Sequence, residues 1–269
     1  MTTTLNNDLI VRELTEQGVL RLTLNDNNRR NALSEAMLDG LAQEFNSSTS
    51  DPSIRVIVLA ANGPAFCAGH NLKEMTAARE AADGGKDYFV MLMTKCAAVM
   101  QSIVNCPKPV IAEIAGVATA AGCQLVASCD LAYASDTAKF GTPGVNIGLF
   151  CSTPMVALSR NVSNKQAMEM LLSGDLIMAQ RAVEIGLINS VTDSSNLTAH
   201  TMAIAEKIAG KSTMTVAKGK RAFYAQKEME LEDAYEYACQ VMADNMLKQD
   251  AEEGIQAFID KRRPDWIDE

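Results

Sequence analysis

Two stretches of this chain carry residue types that let a backbone do chemistry. The first is Gly63-Pro-Ala-Phe-Cys-Ala-Gly-His-Asn-Leu-Lys-Glu-Met75, directly after an apolar run at 54–60. Gly69 permits a sharp turn, which would leave the N–H of His70 unpaired at the carboxyl end of a strand. The second is Gly116-Val-Ala-Thr-Ala-Ala-Gly-Cys-Gln124, where small residues follow the run at 110–114 and lead into a helix. The first N–H groups of a helix lack intrahelical partners and sit at the positive end of its dipole. Two such donors aimed at one point form an oxyanion hole. Each stretch alone also fits a plainer role, as a turn after a strand or as close packing at a helix start.

The side chains offer less. Seven cysteines (Cys67, Cys96, Cys106, Cys123, Cys129, Cys151 and Cys239) contain no CxxC pair and no Cys/His spacing suited to zinc, so they read as reduced thiols. The two histidines, His70 and His200, are too distant in sequence for a short-range pair, and no metal site is expected. With 33 acidic against 24 basic residues the formal charge is −9, which makes double-stranded nucleic acid and anionic membrane poor partners. At 48 % hydrophobic and 21 % charged residues, the 269-residue chain has the composition of a folded soluble protein. A chain of this size buries about 75 % of its unfolded surface, in keeping with one large domain and a small appendage. Pro109–Ser128 approaches the ~20 residues of a membrane span, but Glu113, Gly116, Gly122 and Gln124 interrupt it, and a strand, a turn and a buried helix explain it as well. The start, Met1–Asp8, has no basic segment followed by an apolar run, so a cytoplasmic location is expected.

The elements that must position the two stretches follow from periodicity. Leu9-Ile10-Val11 and Val19, Leu20, Leu22 and Leu24 alternate around Glu16-Gln17-Gly18 as in a hairpin. Ser34 caps a helix with Met37, Leu38, Leu41 and Phe45 at helical spacing. Ile54–Leu59 is a β-branched run expected of a strand buried on both faces. A helix over 86–105 stops before Pro107 and Pro109, and a strand follows at 110–112. A helix after Ala120, a strand at 131–133 and a piece near Phe140 continue the alternation, which argues for parallel strands with crossover helices. From Ser152 the pattern is helical over 153–161, 164–173, 179–186, 196–210, 213–228, 231–249 and 250–261, with one short strand near Ser190. The division expected is an α/β core over 1–195 and a helical C-terminal oligomerisation region over 196–269.

Taken in order and 51 residues apart from His70 to Ala121, the segments AFCAGHNLKEM and CPKPVIAEIAGVATAAGCQLVASCDLAYAS resemble the signature of the crotonase (enoyl-CoA hydratase/isomerase) superfamily. The likeness runs from Asn31-Ala32-Leu33 to Ala257–Arg263. It implies a spiral of ββα repeats with a helical C-terminal part, a homotrimer or dimer of trimers, and acyl-CoA thioesters as substrates. Coenzyme A would enter only as part of the substrate, with no further cofactor. The matching positions put the oxyanion donors at the backbone N–H of His70 and Ala121. Ala121 stands where many relatives have glycine, which is harmless to a backbone donor if its φ is negative.

The departures matter equally. Hydratases of the family carry glutamates where this chain has Gln124 and Gly144. General acid–base groups contribute roughly 10²–10⁴-fold each, so hydration should be weak while the oxyanion hole survives, and Gln124→Glu with Gly144→Glu together should restore more than either alone. Cys151 is a candidate replacement if a helix start lowers its pKa, against a buried inert thiol; His70 is another if its ring turns inward, against packing on its loop. Asn71, where many relatives have Asp, should make a structural hydrogen bond, and Glu113 faces a salt bridge or the pocket. The resemblance nominates Ala32 and Ala68 as backbone contacts to coenzyme A, with Asn71, Leu72 and Lys73 beside them. Phe258 and Lys261 would reach the nucleotide of a neighbouring subunit, and Lys261-Arg262-Arg263 is a basic run suited to phosphate. Isomerisation, decarboxylation, thioester hydrolysis, a carrier with little turnover and a scaffold subunit all remain open.

Overall fold

The computed structural model describes residues 9–268, so the expectation about Met1–Asp8 lies outside the described residues. The chain runs β1 (Ile10–Leu14), β2 (Val19–Leu24), α1 (Glu35–Ser50), β3 (Val56–Ala61), β4 (Ala65–Cys67), α2 (Leu72–Ala78) and α3 (Lys86–Asn105). It continues through β5 (Val110–Ile114), β6 (Val117–Thr119), α4 (Ala121–Ser128), β7 (Leu131–Ser135), β8 (Lys139–Gly141) and α5 (Pro154–Leu158). Then come α6 (Asn164–Ser173), β9 (Ile177–Met178), α7 (Ala179–Glu184) and β10 (Ser190–Thr192). The remainder is helical: α8 (Leu197–Ala209), α9 (Thr213–Gln226), α10 (Leu231–Met246) and α11 (Gln249–Ile259).

Consecutive strands divide between two sheets. The larger has the order β1-β2-β3-β5-β7-β10, antiparallel at the β1–β2 hairpin and parallel beyond it; the smaller is β4-β6-β8-β9. Each of β3, β5 and β7 thus hands the chain to β4, β6 and β8 in the second sheet before a helix returns it, which is the ββα spiral expected. Every residue of β3 from Val56 to Ala60 is buried, as a strand covered on both faces requires. Ser34 Oγ accepts the N–H of Met37 at 3.2 Å, starting α1 with Met37, Leu38, Leu41 and Phe45 inward. By length and composition α3 would suffice for a membrane span, but Leu92, Cys96, Val99, Met100 and Ile103 face the core beside α1. The apolar stretch 109–128 resolves into β5, β6 and α4, and α4 is buried along its whole length. The opposite face of the larger sheet, at Val19, Val56, Val58, Ile111 and Tyr133, is covered by Leu197, Ala205 and Ala209 of α8.

The C-terminal helices are tied to the core by a nearly buried ion pair. Lys220 Nζ on α9 lies 2.7 Å from Asp130 Oδ2 and also donates to the carbonyls of Ile103 and Lys108. Asp130 in turn accepts from the Tyr224 hydroxyl at 2.9 Å and from the N–H of Val110 at 2.7 Å. A second tie is Arg55, which donates to the carbonyls of Ala209 and Lys211 and to Asp268. Removing one partner of a buried pair strands the other charge, which costs more than losing a neutral hydrogen bond. Lys220→Met should therefore destabilise by about 3–5 kcal/mol and Tyr224→Phe by about 1 kcal/mol in urea unfolding. Equal effects would show that this pair is not what holds α9.

Candidate active site

The site begins with a loop that makes one turn of 3₁₀ helix, Asn27–Arg29, and is pinned by one side chain. Asn31 is fully buried with φ +52°; its Oδ1 accepts the N–H of Asp26 at 2.7 Å, and its Nδ2 donates to the carbonyls of Asn62 and Ala65. That fastens residues 26–32 to the connection between β3 and β4. The loop then joins the segment after β4 directly: the N–H of Ala68 donates to the Arg30 carbonyl at 3.1 Å, and the N–H of Leu33 to the Gly69 carbonyl at 2.8 Å. Gly69 has φ +92°, a conformation that favours glycine.

The second segment is pressed against the first. α4 starts so close to β4 that a Cβ at Gly122 would run into the Cys67 carbonyl and come within 2.9 Å of the Cys67 side chain. A Cβ at Gly69 would lie 3.0 Å from that of Ala120 and 3.5 Å from the nitrogen of Ala121. Between them Ala120 takes φ +51° and ψ −119°, while its N–H donates to the Gly141 carbonyl at 2.9 Å. A non-glycine residue so placed costs on the order of 1–3 kcal/mol, and alanine gives no sign of it in sequence. Ala121 itself is the first helical residue and has no positive φ, so its lack of glycine is harmless. Neither the N–H of His70 nor that of Ala121 donates to an acceptor among the described residues. Two free donors thus flank the contact between Gly69 and the start of α4.

The side chains nearby are neutral. The His70 ring packs back on its loop, with Nδ1 3.4 Å from the Leu33 carbonyl and Nε2 buried without a partner. Burial holds this imidazole below its usual pKa, and the Leu33 carbonyl offsets part of that. Gln124, one turn into α4, is 5 % exposed and its Oε1 has no partner. Thr142, just beyond β8, is fully buried and its hydroxyl is likewise unpartnered. Nothing in the sequence had singled out Thr142. Gly144 lies in a tight turn closed by the N–H of Leu149 on its carbonyl at 2.9 Å. A Cβ there would meet the Leu149 carbonyl and come within 2.8 Å of Cys151 Sγ, so Gly144→Glu has no room without opening the turn. Cys151 is buried, which pushes its thiol up rather than down, and the Gly144 N–H compensates only in part. Its inert reading is the one the surroundings favour.

The residues nominated for coenzyme A fall in two places. Ala32 donates to the Arg29 carbonyl and accepts from Ser34, and the N–H of Ala68 is engaged by Arg30, so a ligand would meet carbonyl oxygens here. Asn71 caps α2, accepting the N–H of Lys73 at 3.1 Å and donating to Glu74 at 2.9 Å, the structural role expected. Leu72 and Lys73 are exposed along an open groove of about 430 Å³ shared with Thr76, Ala77 and Glu80. Phe258, 85 % exposed, and Lys261 lie at the end of α11. No hydrogen bond joins either to the loops around His70 and Ala121. Of the basic run, Arg262 is taken by a two-pronged bond to Glu253 at 2.6 and 2.7 Å, leaving Lys261 and Arg263 without ion pairs among the described residues. Glu113 points away from the site, paired with Arg21 at 2.7 Å and accepting from Thr198.

The family model described as enoyl-CoA hydratase/isomerase matches residues 14–269. The mouse (Mus musculus) protein named enoyl-CoA hydratase domain-containing protein 3, mitochondrial, is 49 % identical over 93 % of this chain and 82 % of its own length. The 2,3-dehydroadipyl-CoA hydratase of Escherichia coli is 34 % identical over 93 % of this chain and 96 % of its own. A crystal structure of an enoyl-CoA hydratase from Mycobacterium smegmatis superposes with a TM-score of 0.91 at 48 % identity, covering 96 % of this chain and 98 % of the other. The Xenopus laevis and human relatives share the mouse protein's name, including the word mitochondrial. These names overturn the cytoplasmic location expected from Met1–Asp8, a short stretch whose lack of a secretory pattern does not bear on import into an organelle. From residue 14 to residue 269, and in its fold, the chain belongs to the enoyl-CoA hydratase/isomerase family.

Proposed function

We propose that the protein binds acyl-CoA thioesters and polarises the thioester carbonyl between the backbone N–H groups of His70 and Ala121. The observation that carries this reading is the pair of free N–H donors on two segments so close that a Cβ at Gly69 would lie 3.0 Å from that of Ala120. Charge gathers on the carbonyl oxygen as an enolate or tetrahedral intermediate forms. Donors fixed in advance stabilise that charge without reorganising, and one of them is typically worth ~2.7–4 kcal/mol. The coenzyme would lie along the Ala32, Ala68 and Lys73 side, with the exposed groove beside α2 receiving part of the chain.

The same surroundings argue against efficient hydration. Adding water across a double bond needs a group to activate the water and one to protonate the α carbon. Gln124 does neither near neutral pH, Gly144 has no side chain, the buried Cys151 thiol is pushed up, and the His70 ring is turned back toward the Leu33 carbonyl. The C-terminal region is proposed to assemble the protein as a trimer or dimer of trimers. Exposed Leu231, Tyr235, Met242 and Met246 on α10, with Phe258 on α11, form apolar surface that a second copy would cover.

Ala121→Pro deletes one donor at the first residue of a helix, a position where proline is tolerated. Turnover of any acyl-CoA substrate should fall about 10²–10³-fold with an unchanged circular dichroism spectrum. An unimpaired variant would remove Ala121 from the mechanism. Crotonyl-CoA hydration should be at least ~10³-fold slower than in a relative bearing both glutamates, and Gln124→Glu alone should recover little. Hydration at ordinary speed would reveal a base among the residues discounted above. Sedimentation at micromolar concentration should give three or six copies, and a monomer would refute the assembly.

A further inference from the structure

The connection between β3 and β4 holds Asn62-Gly63, the chain's only asparagine followed by glycine. Both residues are exposed, and the Gly63 N–H donates to no acceptor among the described residues. Glycine has no Cβ to screen its own nitrogen from the side chain before it. The Asn62 amide is held at the surface by Nδ2, which donates to Asn25 Oδ1 at 3.0 Å. The two asparagines followed by serine are placed differently: Asn46 and Ser47 lie inside α1, and Asn189 Oδ1 accepts the Ala132 N–H just ahead of β10.

The backbone of Asn62 is tied to the site. Its carbonyl accepts Asn31 Nδ2 at 2.9 Å, and its N–H donates to the Leu24 carbonyl at 2.8 Å. Asn31 pins the loop leading to Leu33, whose N–H donates to the carbonyl of Gly69, one residue before the His70 donor. Gly63 has φ +87°, and a Cβ there would run into Asn27 Oδ1. Position 63 therefore requires glycine, and the chemical lability of an asparagine before glycine comes with it.

We propose that Asn62 is a site of spontaneous covalent modification, converting to isoaspartate and loosening the loop that presents the His70 N–H. Hydroxide takes the Gly63 N–H proton, the nitrogen bonds to Asn62 Cγ, and the bond from Cγ to Nδ2 breaks, releasing ammonia once water returns the proton. Water then opens the five-membered imide. Opening at the α carbonyl leaves the main chain running through Cγ, so that asparagine plus water gives isoaspartate plus ammonia. The carbonyl that Asn31 holds thereby leaves the main chain, which gains a methylene, and a carboxylate appears beside it. Because hydroxide starts the reaction, its rate rises with pH.

The loss of function rests on the oxyanion-hole reading, whereas the modification does not, and the test reads them separately. Full-length protein is aged at mildly alkaline pH in ordinary water and in H₂¹⁸O, then cleaved with trypsin, which releases Val56–Lys73 as one peptide. That peptide should gain the mass of an amide-to-acid exchange at Asn62, carry ¹⁸O from the heavy solvent and become a substrate for an isoaspartyl methyltransferase. The unfolding midpoint and acyl-CoA turnover should fall in step with the modified fraction. Asn62→Gln, whose longer side chain closes an imide far more slowly, should hold its initial values of both over the same period. Fresh Asn62→Asp, which adds charge without lengthening the main chain, should be more active than fully aged protein. A peptide that stays unmodified in the folded protein, while urea-unfolded protein modifies, would overturn the site. Modification with an unchanged midpoint and unchanged turnover would overturn the role given to the Asn62 backbone. If fresh protein neither binds nor turns over acyl-CoA, the oxyanion-hole reading falls, and the peptide mass and the midpoint still decide the modification.

Discussion

The first turn of α4 lies against the backbone of β4 with no space for a side chain at position 122, and the geometry of the site follows from that contact. It brings Ala120 against Gly69 and holds it at a positive φ that an isolated chain would avoid. The strain is sustained because both flanks are fixed: Ala120 hydrogen-bonds to Gly141 across the second sheet, and Asn31 pins the loop leading to Leu33, whose N–H donates to the Gly69 carbonyl. Two backbone donors can then point away from their own segments without a partner. A loop with freer ends would relax and satisfy them internally.

Much of this was legible in sequence, for uneven reasons. Long elements announced themselves: Met37, Leu38, Leu41 and Phe45 define α1, and the β-branched run ending at Leu59 defines β3. The second sheet did not, because β4, β6, β8 and β9 have two or three residues each, too few for alternation to register. The helix expected over 153–161 is only Pro154–Leu158, since the residues after it form turns rather than continuing the ladder. α2 was hidden within a stretch read for its backbone donors.

The site divides along the same line. The motif singled out His70 and Ala121, whose N–H groups are free among the described residues, and Asn71 and Glu113 have structural partners. What sequence could not convey was space and pairing. Gly144 reads in sequence as an absent side chain, whereas a Cβ there would meet the Leu149 carbonyl and the Cys151 sulfur. Lys261-Arg262-Arg263 looks like three free cations, whereas Glu253 claims the middle one. The N–H groups of His70 and Ala121 are free among the described residues, and Gly144 lies in a turn without a carboxylate.

The central claim is that the thioester carbonyl sits between two backbone donors, and the vibration of that carbonyl reads it directly. Infrared difference spectra with a ¹³C-labelled, unreactive acyl-CoA should show the carbonyl stretch shifted to lower frequency on binding, with most of the shift lost in Ala121→Pro. A carbonyl that keeps its solution frequency when bound, or a shift that survives the loss of the Ala121 donor, would contradict the account.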